Sequence, residues 1–150
     1  MIKQVNGNIL NASENIIAHQ VNCHSVMGAG LAKQLRSKYP DLFESYKTYC
    51  DSFSHDRQSL LGKCFFVLTN GKMIANVFGQ YRYGRGQRHT NYIALEKGLE
   101  SLKEAAEELE LSVAIPYGIG CGLAGGDWEV VYEIIVRVFD DYDVTIYKYQ

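Results

Sequence analysis

Only two of the 150 residues are proline, Pro40 and Pro116, and no proline-, serine- or single-charge-rich stretch interrupts the chain. This excludes a linker-joined or low-complexity organisation, so one domain over residues 1–150 is expected. The four cysteines, Cys23, Cys50, Cys64 and Cys121, include no Cys-x-x-Cys pair, and the start MIKQVNGNIL lacks a basic-then-apolar leader pattern. Reduced thiols and a cytoplasmic setting are expected. His19, Cys23 and His24 cluster locally but lack a fourth ligand at metal-site spacing, so neither a metal nor another cofactor is implied. No apolar run approaches the ~18 residues of a membrane span. A net charge of −2 argues against a general nucleic-acid-binding surface. The phosphate-loop signature Gly-Lys-Ser/Thr is missing as well.

Apolar residues are plentiful at 47%, enough for a sizeable core, and they fall into alternating strand-like and helix-like runs. Residues 2–5 and 16–21 are β-rich, and residues 31–39 read as a helix stopped by Pro40. Leu42, Tyr46 and Tyr49 continue a helical spacing after it. Residues 64–69 and 73–78 flank Asn70-Gly71, a strong hairpin signal. Thr90 is expected to open a long helix with the stripe Leu95, Leu99, Leu102, Ala106 and Leu109. A strand over 112–116 and a helix capped by Asp127 with the stripe Trp128, Val131, Ile135 and Val138 follow. Residues 144–149 close the chain as a strand. This order implies a three-layer α/β/α sandwich around a mixed sheet.

Two glycine-rich turns carry the functional information. Met27-Gly28-Ala29-Gly30-Leu31 and Gly118-Ile119-Gly120-Cys121-Gly122-Leu123, followed by Gly125-Gly126, each lie between a strand-like and a helix-like run. Such turns present backbone N–H groups at a helix N-terminus, where glycine permits close approach of a phosphate. Two of them suggest a clamp on both sides of a pyrophosphate. A dinucleotide oxidoreductase fits poorly, because GIGCGLAGG breaks the G-x-G-x-x-G spacing and comes at the last strand–helix unit rather than the first.

The GNIL turn, HQVNCHSVMGAGLA and IPYGIGCGLAGGDW, in this order, resemble the macrodomain family of ADP-ribose-recognising proteins over essentially the whole chain. Two branches are nearest in pattern: the yeast-type ADP-ribose 1''-phosphate phosphatases and the terminal ADP-ribosyl-glutamate hydrolases. The resemblance implies that ADP-ribose or a derivative, free or carried on a macromolecule, binds through Met27, Gly28, Ala29, Gly30, Gly118, Ile119, Gly120, Cys121, Gly122 and Leu123. It places Asn8 and Ile9 at the adenine, with asparagine where the family has an acid. His19 matches the phosphatase histidine, an imidazole able to orient or deprotonate water, or to protonate a leaving hydroxyl. Asn22 is expected at the distal ribose.

The lysine of the glutamate-hydrolase branch has no counterpart, since Gln80 occupies the matching stretch and cannot act as an amine nucleophile. The loop aspartate of that branch matches Ala124; Asp127, three residues on, is both a candidate acid and a candidate helix cap. Arg82, Arg85 and Arg88 in the loop over residues 79–89 offer guanidinium forks suited to a phosphate monoester, or are simply solvated. Tyr81, Tyr83 and Tyr117 are candidate stacking groups. Cys121 has no adjacent histidine to activate it. The activity expected is hydrolysis of an ADP-ribose derivative, with ADP-ribose 1''-phosphate the first choice. The alternatives are a reader that does not turn ADP-ribose over and a de-ADP-ribosylating hydrolase acting without the lysine.

Overall fold

The computed structural model describes residues 1–149 and orders six strands and four helices as β1 (Ile2–Asn6), β2 (Ile16–Gln20), α1 (Gly30–Lys38), α2 (Leu42–Asp51), β3 (Cys64–Thr69), β4 (Lys72–Val77), α3 (Tyr92–Leu109), β5 (Val113–Pro116), α4 (Trp128–Val138) and β6 (Val144–Lys148). Short 3₁₀ turns follow β1 (Ile9–Asn11) and precede β3 (Arg57–Leu60). The strands lie in the order β1-β6-β5-β2-β4-β3. All neighbours pair parallel except β3 and β4, whose hairpin turns at Asn70 and Gly71. Both turn residues have positive φ, 49° and 75°, which matches the backbone twist of a tight two-residue hairpin.

Strands inside a parallel sheet bury both faces, and the side chains of β2 show it. Ile16 and Ala18 point into a cluster with Leu95, Leu99, Leu102 and Ala106 of α3 and Val131, Ile135 and Val138 of α4. Ile17 points the other way, into a cluster with Leu35, Leu42, Tyr46 and Cys50 of α1 and α2. The result is the expected three-layer sandwich with a mixed sheet. Pro40 ends the first helix as anticipated, since the residue before proline is pushed out of the helical region; Tyr39 is extended.

Two boundary expectations are corrected. Asn91, not Thr90, caps α3: its side-chain oxygen accepts from the Ala94 N–H at 3.0 Å. Thr90 is buried one residue earlier and serves the functional site. Leu109, at the end of the α3 stripe, is 57% exposed; it is the last residue of the helix, which ends at Glu110 in the left-handed conformation.

The topology creates a crevice. The connection leaving β2 passes through α1 and α2 on one face, whereas the connection leaving its neighbour β5 passes through α4 on the other. Loops at the carboxyl ends of adjacent strands therefore diverge, which is where open α/β sheets hold ligands.

The closest helix–sheet approach is at Gly98 of α3. A Cβ there would stand 2.5 Å from Val77 Cγ1 and 3.3 Å from the Lys63 carbonyl oxygen. Gly98→Ala is expected to destabilise the fold by about 1–3 kcal/mol despite alanine's better helix propensity, because overpacking outweighs the propensity gain. Urea unfolding checks this; an unchanged or raised midpoint would mean that α3 has room to move away from β4.

Candidate functional site

Three loops rise from the carboxyl ends of β2, β4 and β5 and enclose a cleft of about 540 Å³. They are residues 21–29, 78–91 and 117–127. His19, Asn22, Met27, Gly28, Ala29 and Gly30 line it from the β2 side. Gly118, Ile119, Gly120, Gly122, Leu123 and Ala124 line it from the β5 side, and Gln80, Tyr83, Gly84 and Arg85 from the β4 side.

The first glycine loop ends in an uncapped helix. Ala29 at the N-cap of α1 provides no capping side chain, the first turn has no acidic residue, and Gly30 sits at φ 57°. The opening N–H groups of α1 are thus available to an anion, with the helix dipole favouring negative charge. The second loop matches it: among the described residues, the N–H groups of Gly118, Gly120 and Gly122 have no protein acceptor. Gly118 and Gly120 have φ of 78° and 74°, conformations that L-residues rarely adopt.

One side chain, at the end of β2, ties that strand to the loops after β4 and β5. Gln20 Nε2 donates to Gln80 Oε1 at 2.8 Å and to Thr90 Oγ1 at 2.9 Å, and the Thr90 hydroxyl donates to the Gly120 carbonyl at 2.6 Å. The packing leaves no space for side chains around this knot. A Cβ on Gly79 would collide with Gln20 Oε1, and one on Gly126 would lie 2.5 Å from the Gly120 carbonyl oxygen. Neither Gln20 nor Thr90 stands out in the sequence, since their partners are 30 to 70 positions away.

His19 lies on the α1/α2 face of β2, opposite Asn76 of β4 in the strand register. Asn76 Nδ2 donates to the Phe65 carbonyl at 2.9 Å, so its Oδ1 is an acceptor, and His19 Nε2 donates to it at 2.7 Å. This fixes the tautomer. His19 Nδ1 is unprotonated, buried and without a protein partner. Burial lowers the imidazole pKa to about 4, only partly offset by the Asn76 hydrogen bond, so the ring is neutral at pH 7.

Asn22 lines the cleft but is mostly occupied in shaping the turn. Its Oδ1 accepts from the His24 N–H at 2.9 Å and from the Tyr46 hydroxyl at 3.1 Å, and its Nδ2 donates to the Val26 carbonyl at 2.8 Å. One amide hydrogen remains for a ligand hydroxyl.

Four expected site residues stand elsewhere. Asp127 Oδ1 accepts from the Glu129 N–H at 3.0 Å as the N-cap of α4, and the residue does not line the cleft. The candidate acid is thus a structural cap. Asn8 Oδ1 accepts from the Leu10 N–H at 3.0 Å, capping the 3₁₀ turn, and neither Asn8 nor the buried Ile9 lines the cleft. Cys121 also lies outside the cleft wall, its Sγ directed at the Ile119 carbonyl. Burial, reinforced by Asp127, pushes its thiol up to about 11, which removes it as a nucleophile at neutral pH. Gln80, at the lysine position, accepts from Gln20 and donates to the Arg82 carbonyl at 2.7 Å.

An α/β sandwich with twin glycine loops over a topological switch point defines a nucleotide-phosphate-binding class. Residues 18–135 match the Macro domain family, and the chain belongs to it. It is 34% identical, over 98% of its length, to a DNA ADP-ribosyl glycohydrolase of Mycobacterium tuberculosis, but spans only 42% of that relative. It is 27% identical to an ADP-ribose 1''-phosphate phosphatase of Saccharomyces cerevisiae, with 98% of both chains covered. The macrodomain of Mycobacterium tuberculosis DarG superposes with a TM-score of 0.82 at 31% identity, covering 98% of this chain and 97% of that one.

The His19 environment has a measurable consequence. Its folded pKa, about 4, lies below the ordinary 6.5, so the unfolded chain binds the extra proton first as the pH falls. The contribution to stability is complete above pH 6.5 and is lost as the pH falls from there towards 4, amounting to about 3 kcal/mol. Urea unfolding at pH 7.5 and pH 4.5 should show this loss in the wild type and a smaller one in His19→Gln. Equal losses in both proteins would place the acid sensitivity elsewhere.

Proposed function

We propose that the cleft binds ADP-ribose and that the protein hydrolyses an ADP-ribose derivative at the distal ribose, with ADP-ribose 1''-phosphate as substrate. The carrying observation is the pair of N–H-presenting loops that line one cleft at the crevice between β2 and β5. Charge-assisted hydrogen bonds to the two phosphates, at roughly 1.5–3 kcal/mol each, suffice for micromolar affinity after association costs. The full-length likeness to a 1''-phosphate phosphatase supports the substrate choice.

In this reading the attacking water lies between the 1''-phosphate and His19. The water oxygen bonds to phosphorus, the bond from phosphorus to the C1'' oxygen breaks, and its electron pair stays on that oxygen. His19 lines the cleft, and its Nδ1, enclosed and without a protein partner, takes the water proton as the P–O bond forms once ligand binding opens a path to it. The imidazolium then returns the proton to the C1'' oxygen, leaving ADP-ribose and inorganic phosphate. Asn76 holds the ring in the tautomer this requires. A basicity as low as His19's makes it a weak base, so most of the rate falls to positioning and to the phosphate-directed N–H groups.

One observation favours a second reading, recognition without turnover. No Asp, Glu or Lys is among the described residues lining the cleft, and His19 is neutral. Calorimetry with ADP-ribose, NAD and ATP followed by phosphate-release assays separates the two. Preferential ADP-ribose binding is expected, with 1''-phosphate turnover lost by at least ~100-fold in His19→Ala while ADP-ribose affinity stays within a few-fold. Binding without phosphate release would establish the reader. Tighter binding of NAD would reject both. Above pH 7, where the substrate's phosphate monoester is already ionised (second pKa about 6), the turnover rate should be level, because a group titrating near 4 does not change state there; a break between pH 7 and 8 that disappears in His19→Gln would contradict the buried neutral imidazole.

A further inference from the structure

We infer that Arg85 is the residue that distinguishes a phosphorylated distal ribose from a free one, so that the third loop supplies a phosphate-monoester subsite beside the pyrophosphate clamp. The inference rests on the ADP-ribose reading of the cleft and adds to it a residue that the glycine loops do not account for.

Charge is distributed unevenly along the chain. Between Arg57 and Leu95 there are six lysines and arginines (Arg57, Lys63, Lys72, Arg82, Arg85, Arg88) and no carboxylate, although the protein as a whole carries −2. Three of the six belong to the loop between β4 and α3. That loop is tied at both ends to the glycine loops. The Cys23 N–H donates to the Tyr81 carbonyl at 3.0 Å on the β2 side, and the His89 and Thr90 N–H groups donate to the Ala124 carbonyl at 2.7 and 3.2 Å on the β5 side. Its tip is consequently held at the cleft, and Tyr83, Gly84 and Arg85 form part of the wall. Gly84 and Gly86, at φ 124° and 92°, make the turns on either side of Arg85.

The three arginines of the loop are not equivalent. The guanidinium of Arg82 lies 5.5 Å from the Tyr81 ring and that of Arg88 lies 4.6 Å from the Tyr92 ring. Arg85 has neither an aromatic ring nor an acidic partner among the described residues, and it is the one Lys or Arg lining the cleft. An exposed guanidinium over a cleft without carboxylates offers a planar fork to a dianionic phosphate. The loop rises from β4, the strand whose Asn76 holds His19, and Arg85 and His19 line the same cleft, so the inference puts the distal phosphate between them. ADP-ribose has no phosphate there, whereas its 1''-phosphate does.

Half-saturating concentrations for three ligands test this in wild type, Arg85→Gln, Arg85→Lys and Arg82→Gln. Calorimetry serves for ADP-ribose and for ADP-ribose with a phosphate on the adenosine 2' position. Phosphate release serves for the 1''-phosphate, or calorimetry if no turnover occurs. Wild type should bind the 1''-phosphate more tightly than ADP-ribose, and Arg85→Gln should weaken it about 10- to 100-fold while leaving ADP-ribose within twofold. Arg85→Lys should recover part of the loss, and Arg82→Gln should leave every ligand unchanged. Equal weakening of ADP-ribose and the 1''-phosphate, no weakening of either, or a loss confined to the 2'-phosphate would each overturn the role of Arg85 while leaving the cleft an ADP-ribose site. Failure of wild type to bind ADP-ribose would instead overturn the reading on which the inference rests.

Discussion

The carboxamide of Gln20 is the contact on which the rest of the site depends. The strands beneath the cleft are joined by a regular ladder, whereas the loops above them share only a few backbone bonds, from Cys23 to Tyr81 and from His89 and Thr90 to Ala124. Gln20, with Gln80, Thr90 and the Gly120 carbonyl, ties the end of β2 to the loops after β4 and β5 through four polar groups. Glycines at 79, 120 and 126 are the steric condition for that convergence, because a Cβ at any of them would meet the Gln20 or Thr90 side chain or the Gly120 backbone at 3.1 Å or less. Their value thus differs from that of Gly28 and Gly30, where a Cβ would meet little and the benefit is an open backbone. Glycines that look equivalent in a motif perform two separate physical tasks.

The order of elements is legible in the sequence because burial on one or both faces imposes periodicity, and a strand or helix is local. Asn70-Gly71, Pro40 and the α4 stripe, most of whose members are buried, all act within a few residues of themselves. Polar residues near element ends are less legible. Asn8, Asp127, Thr90 and Asn91 are residue types that bond nearby backbone or something distant with equal ease, and only the fold decides which. Asn8 and Asp127 cap their own turns, whereas Thr90 leaves capping to Asn91 and reaches Gly120. Gln20 and Asn76 were invisible for a stronger reason: their partners meet them across strands and loops, at no spacing that a single sequence displays.

The chemistry of the cleft is unusual in what supplies it. Backbone N–H groups and neutral side chains dominate, the single cation of the wall among the described residues is on the third loop, and the imidazole is held neutral by burial. Such a site gains selectivity from shape and fixed dipoles, which need no reorganisation when the ligand arrives. It also accommodates Gln80 where a related branch has lysine, since nothing in the arrangement calls for a covalent amine intermediate.

The uncapped start of α1 leaves the protein with a first helical turn that no side chain of its own completes. Most helices complete their first turn with a serine, asparagine or aspartate of their own; here the place is held by Ala29, which has nothing to offer. A bound phosphate closes that turn from outside, and the free energy it releases is shared between association and folding. At a ligand concentration a hundred times Kd, the native state gains about 2.7 kcal/mol over the unfolded chain. A ligand at the start of α1 would thereby raise the melting temperature of the whole domain.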